Sequence, residues 1–433
     1  MDRAHAIRTA YRMPADNNDN NTNDILDVTL LCKVVDNFGD VGVVYRLARA
    51  LSDLCESLSL RIVIDNLNSF SLLEPQIDTT KDVQNANGWQ ILNWNAGDAC
   101  LAEFRRNPPH IIVECFQCGR PEWLEMLLFT EKVENIVHII MLDYLTAEDY
   151  AETFHKLQSL TRSARVQKVN FMPGFTAKTG GLILDEPFMR ALKERETKDE
   201  KEAAAWEARS KAAEAKNVGA EGSKVPVDAH IAAISEGKTP FTALFFSYPR
   251  DWQPAVRAFG AFNKAHCAGT LHVLLARGAG YESFKTAYKN HEEKVQHFTL
   301  CELPFLPQTE WDALLTRTPL LFVRGEDSLS RACLCGVPFV WHAYPQTEEY
   351  QLVKVQALLE RMRPFFAASD FAAVERCWQT YNTTAASAPE LEAALRDFLF
   401  AYQAMRPGFA AFSASLVKNG DLAAHLLKFM QEQ

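Results

Sequence analysis

Residues 25–51 read ILDVTLLCKVVDNFGDVGVVYRLARAL. The first eight, Ile25 to Cys32, are a short apolar run with β-branched members, the signature of a buried strand. DNFGDVG follows as a glycine-bearing turn, and from Val43 to Leu51 the apolar positions recur at helical spacing. Strand, glycine turn and helix together open a βαβ unit.

The same alternation continues outward. Arg61–Asp65, His110–Glu114 and Asn135–Met141 read as further strands separated by helical stretches. A second series runs through Phe241–Phe246, Thr270–Leu275, the region of Phe298–Leu300, Leu320–Val323 and Val337–Trp341. Near-continuous apolar strands alternating with helices predict parallel sheets covered on both faces, hence α/β units of the doubly wound kind. The length of 433 residues suits two such domains. The expected division is a disordered extension over 1–24, an N-terminal domain over 25–189, a charged insertion over 190–238, a second domain over 239–405 and a closing helical segment over 406–433. The Asn/Asp-rich extension holds too little apolar surface to order itself. Within the insertion, charge pairs at helical spacing with almost no apolar stripe fit a solvated helix and linker, or a partner-binding helix.

Composition narrows the function. Hydrophobic residues are 48% of the chain and the formal charge is −10. An acidic balance argues against sequence-independent nucleic-acid binding, which needs a basic face to displace counterions. No stretch reaches the ~20 apolar residues of a membrane span, and the N-terminus lacks a signal peptide's apolar region. Ten cysteines without paired spacings in a chain this long read as reduced thiols, which places the protein in the cytoplasm. Cys115 and Cys118 form a lone C-x-x-C with no second pair at zinc spacing, so small apolar packing at a strand end competes with a redox or metal reading.

Three segments carry candidate chemistry. Asp36-Asn37-Phe38-Gly39-Asp40 sets two carboxylates on a glycine turn after a strand, where doubly wound sheets build their sites. The pair suits a cationic acceptor or a general base; capping and an Asx turn would explain it equally well. Arg324-Gly325-Glu326-Asp327-Ser328 follows a strand and opens a helix, whose N-terminal amides seat a pyrophosphate or are simply capped by the acids. Phe246-Ser247-Tyr248-Pro249, at another strand end, could stack a base or pack the core.

Eight motifs stand in order: DNFGD at 36–40, GRPEW at 119–123, LDYLTAEDY at 142–150, PGFTAKTGG at 173–181, FFSYP at 245–249, PFLPQTEWD at 304–312, RGEDS at 324–328 and WHAYPQ at 341–346. On these the chain resembles the bacterial elongation factor P arginine rhamnosyltransferases (EarP family) from about Asp27 to its C-terminus. The resemblance implies a GT-B fold, two Rossmann-like domains facing a central cleft, with a C-terminal helix crossing back to the first domain. It implies an inverting, metal-independent glycosyltransferase that moves L-rhamnose from dTDP-β-L-rhamnose to one arginine of elongation factor P, with no cofactor. By the same resemblance Asp36 and Asp40 are the essential aspartates, Asp40 the general base, and Glu326 the essential glutamate. Asn37, Phe38 and Gly39 lie on the acceptor-side turn. Phe246, Tyr248, Gln308, Trp311, Arg324, Asp327, Ser328, Tyr344 and Gln346 fall at donor-binding positions. A GT-B enzyme with another nucleotide sugar or acceptor, or a non-catalytic module that docks on a translation factor, are the competing readings.

Overall fold

A computed structural model describes residues 25–34, 39–131, 135–195, 197, 241–267, 271–290 and 298–433. Asp36, Asn37 and Phe38 lie outside them, as do the extension over 1–24 and nearly all of the 190–238 insertion. The chain divides into two compact units: Met1–Glu186 with Ser415–Gln433, and Pro187–Ala414.

The first unit is built on eight strands: β1 (Leu26–Cys32), β2 (Leu58–Ile64), β3 (Val83–Ala86), β4 (Trp89–Asn93), β5 (Ile111–Cys115), β6 (Val137–Leu142), β7 (Gln158–Ser159) and β8 (Val166–Phe171). Their order is β3-β4-β2-β1-β5-β6-β8-β7. The six inner strands are parallel, and β3 and β7 add antiparallel edges. Side chains of a strand alternate between faces, so β1 feeds two cores at once. Val28, Leu30 and Cys32 pack with Val44, Leu47 and Leu51 of helix Gly39–Leu54, whereas Leu31 joins Phe104, Leu124 and Leu128 on the other face. Full burial of each such side chain stabilises by about 1.5–3 kcal/mol, so a polar residue in place of Val28, Leu30 or Leu31 is costly.

The sequence reading missed the β3–β4 hairpin, β7 and β8. The hairpin had a legible signal: Asn87-Gly88 supplies a two-residue loop with both φ positive, at 53° and 79°.

The closing segment divides later than expected, at Ser415 rather than 406, and the first unit ends at Glu186 rather than 189. Residues 402–414 pack with the second unit: Tyr402 donates to the carbonyl of Pro319, Ser413 to that of Leu334, and Phe409 meets Phe339. Helix Leu422–Gln431 belongs to the first unit, where Leu422, Leu426 and Met430 enter the helix Gly39–Leu54 core. Asp421 caps that helix through the amide of Ala424 and also accepts from the amide of Leu184.

The second unit holds β9 (Phe241–Phe245), β10 (Leu271–Leu275), β11 (Thr299–Glu302), β12 (Leu320–Arg324) and β13 (Phe339–His342), ordered β11-β10-β9-β12-β13 and all parallel. Phenylalanines dominate its core. Phe245 alone meets Trp252, Phe259, Phe284 and Phe322.

Candidate active site

In a doubly wound sheet the chain runs outward from the centre in both directions, and the crevice lies beyond the carboxyl ends of the two strands where it reverses. In the first sheet those strands are β1 and β5; in the second they are β9 and β12. Each unit therefore has one place where its strand order builds a site, and the candidate motifs stand at both.

In the first unit Asp40 lies in the first turn of helix Gly39–Leu54, after β1, and is only 3% exposed. A carboxylate there lies at the positive end of the helix dipole. The hydroxyl of Tyr144 donates to Oδ1 of Asp40 at 3.2 Å. Tyr144 follows β6 and stacks on Phe116, which follows β5, with ring centroids 4.8 Å apart and planes 23° apart. Tyr144 after β6 thus holds a carboxylate that follows β1, and Phe116 after β5 backs it. Sequence reading passed over Tyr144 and Phe116, because Tyr144, 104 positions away in the chain, meets Asp40 and Phe116 meets Tyr144 only through strand order.

Cys115 and Cys118 flank Phe116. Burial raises both thiols, Cys118 to about 12 with the Glu114 carboxylate adding to the shift, so they stand as thiols rather than reactive thiolates.

In the second unit Phe246 and Tyr248 follow β9, and Arg324 ends β12. The guanidinium carbon of Arg324 lies 4.5 Å from the centre of the Phe246 ring and 4.8 Å from that of Tyr248. Cation–π contacts to two rings fix a planar cation without a carboxylate partner, and its Nε has no hydrogen-bond partner among the described residues. Trp311 meets Phe246 edge-on at 5.1 Å, and Tyr344, 60% exposed, meets Tyr248 edge-on at 5.4 Å. Five of the expected donor residues are joined by these contacts.

The others stand as follows. Glu326, Asp327 and Ser328 form the first turn of helix Glu326–Cys335, directly after Arg324. Its N-cap is Gly325, with φ 72°, which has no side chain with which to cap the helix. A Cβ at residue 325 would meet nothing within 4 Å, so glycine is needed there for its backbone angle rather than for space. Gln308, buried, starts helix Gln308–Arg317, one turn before Trp311. Gln346 is exposed, and its amide donates to the side chain of Gln351 at 2.9 Å.

A buried scaffold behind these residues escaped the sequence reading. The amide of Tyr248 donates to Nδ1 of His342 at 3.2 Å, and Ser247 and Tyr381 share a hydroxyl hydrogen bond of 2.6 Å. Asn382 accepts from the amide of Ala343 and donates to the carbonyl of Trp341. Burial, then the charges of Arg250 and Arg324, lower His342 to about 3, so it is neutral and free to accept.

A family model described as elongation factor P (EF-P) rhamnosyltransferase EarP matches residues 28–431. A protein-arginine rhamnosyltransferase of Shewanella oneidensis is 29% identical over 379 residues, covering 82% of this chain and 89% of the relative. One of Neisseria meningitidis serogroup B is 28% identical over 374 residues, covering 82% and 83%. A solved structure described as the structural basis for EarP-mediated arginine glycosylation of translation elongation factor EF-P superposes with a TM-score of 0.53 at 18% identity. It covers 94% of this chain and 99% of that one. The likeness supports a GT-B fold for the two parallel α/β units.

Proposed function

Since the chain belongs to the elongation factor P rhamnosyltransferase family, we propose that it moves L-rhamnose from dTDP-β-L-rhamnose to an arginine side chain of elongation factor P, with inversion at the anomeric carbon. The observation that carries the reading is Arg324, held between Phe246 and Tyr248 directly before the start of helix Glu326–Cys335, where glycine stands at the N-cap. It offers a fixed cation and oriented amides of the kind a departing nucleoside diphosphate requires.

Arginine is a reluctant nucleophile, since its guanidinium stays protonated up to a pKa above about 12. Two carboxylates, Asp36 and Asp40, can grip it through paired N–H bonds and fix one nitrogen in line with the anomeric carbon. That nitrogen forms the new C–N bond while the bond from the anomeric carbon to the diphosphate oxygen breaks. The nitrogen becomes acidic as the bond forms, and Asp40 takes its proton late. Thus no base strong enough to neutralise free arginine is required.

The leaving dTDP gathers negative charge. Arg324, Tyr248 and the amides at Asp327 and Ser328 would stabilise it, doing without a divalent cation. Phe246 and Trp311 form an aromatic wall suited to thymine, and Glu326 would hold a sugar hydroxyl as positive charge develops on the ring.

The test is intact-mass analysis of elongation factor P after incubation with this protein and dTDP-rhamnose, in buffer containing EDTA. The reading expects the acceptor to gain the mass of one rhamnosyl group, and to gain nothing once its loop arginine is changed to lysine. An unchanged acceptor mass, with both proteins folded, would refute it. A strict need for added Mg²⁺ would overturn the metal-independent part alone.

A further inference from the structure

We infer that Tyr144 is the positioning residue for Asp40, set by a left-handed turn at the end of β5; the inference rests on the proposed role of Asp40 as base. A helix start alone leaves an aspartate side chain its ordinary rotamers. Here the Tyr144 hydroxyl holds one carboxylate oxygen at 3.2 Å and thereby fixes where that oxygen lies.

Tyr144 is in turn held at both ends. Its amide donates to Oδ1 of Asp143 at 2.7 Å, and Oδ2 of Asp143 accepts from the side chain of Gln117 at 2.8 Å. Its ring lies flat on Phe116. Phe116 and Gln117 have φ of 57° and 53°, a conformation that side chains of this size rarely adopt. Three contacts pin the pair: the amide of Phe116 donates to the carbonyl of Leu142 at 2.6 Å, the amide of Cys118 to that of Cys115, and the thiol of Cys118 to that of Leu31. Unusual backbone kept by several contacts is the mark of a turn retained for what it aims. This one aims Phe116 at Tyr144.

The step served is proton transfer from the attacking guanidinium nitrogen to the Asp40 carboxylate. Tyr144 keeps its own proton throughout and contributes only the orientation of the acceptor oxygen. Misplacing a base by a fraction of an ångström slows chemistry more than it weakens binding.

The test compares Tyr144→Phe, Phe116→Leu and Asp40→Asn in steady-state transfer to elongation factor P from dTDP-rhamnose. Tyr144→Phe is expected to lower kcat about tenfold while both KM values stay within about twofold, the pattern of an interaction that matters only in the transition state. Phe116→Leu, which keeps the hydroxyl but removes its support, is expected to lower kcat in the same direction by less. Should Tyr144→Phe fail to fold, Phe116→Leu decides. A parental kcat, or a loss confined to KM, overturns the positioning role. Asp40→Asn separates the two ideas: an active Asp40→Asn sinks the base assignment itself, whereas an inactive one beside a fully active Tyr144→Phe sinks only the inference about Tyr144.

Discussion

A Cβ on Gly280 would stand 2.4 Å from the carbonyl oxygen of Ser247, to which the Gly280 amide donates at 3.0 Å. The chain after β10 is thus pressed backbone-to-backbone against the segment that presents Phe246 and Tyr248. Gly278 is similarly close, its missing Cβ lying 2.8 Å from the Phe246 ring. Gly280→Ala must push residues 246–248 outward, and strain of about 1–3 kcal/mol is typical of such overpacking. We expect dTDP affinity, measured by calorimetry, to fall roughly tenfold while acceptor KM holds. Unchanged dTDP affinity would remove this ledge from the donor site.

Asp40→Asn removes the carboxylate and keeps its shape. Turnover should drop by about 10²–10⁴-fold, the usual worth of a general base. The thermal shift on adding dTDP should remain, since the nucleotide contacts are expected in the other unit. Both readouts come from one purified variant.

Arg324→Lys preserves the charge and loses the planar group that two rings hold. A lysine is a poor substitute at a stacked site. With dTDP-rhamnose as varied substrate, kcat/KM should fall by roughly 10–100-fold, in line with loss of a charge-assisted contact. A variant equal to the parent would show that the guanidinium does not meet the diphosphate.

His342 makes stability depend on pH. Burial lowers it to about 3 from an ordinary 6.5. Above pH 6.5 neither state holds the proton and the contribution is complete. As pH falls below 6.5 the unfolded chain takes up a proton that the folded one refuses, so stability is lost progressively toward pH 3. At pH 5 the loss is roughly 2 kcal/mol from this group. Melting curves at pH 7.5 and 5.0 should show a smaller acid-induced drop for His342→Gln than for the parent. Equal drops would mean that His342 is not held neutral.

Asp421 is a stability test within the first unit. It accepts from the amides of both Ala424 and Leu184 at 2.8–3.0 Å. Asp421→Ala removes a helix cap and takes away the partner of the part-buried Leu184 amide, a loss of about 1–3 kcal/mol. The midpoint of urea unfolding should fall accordingly. Rhamnosyl transfer at low temperature should persist, because the Asp421 side chain accepts from Leu184 and Ala424, neither of them a candidate site residue.

Most strands were legible because their information is local. Ile25–Cys32 overlaps Leu26–Cys32, and Leu320–Val323 overlaps Leu320–Arg324, because an apolar run between turn signals needs only its own residues to be read. The positions of Asp40, Phe246, Tyr248 and Arg324 at strand ends were legible for the same reason.

Strand order was not. Near-equivalent Val/Ile/Leu strands could pair in many sequences, and only packing of the whole chain chooses β1 beside β5 and β9 beside β12. That choice brings Tyr144 to Asp40, lays Phe116 under Tyr144, and sets Arg324 between two rings from another strand. It also buries His342 until it is neutral. The residue types and their local geometry came from short-range periodicity. Their meeting came from long-range pairing, which no window of sequence contains.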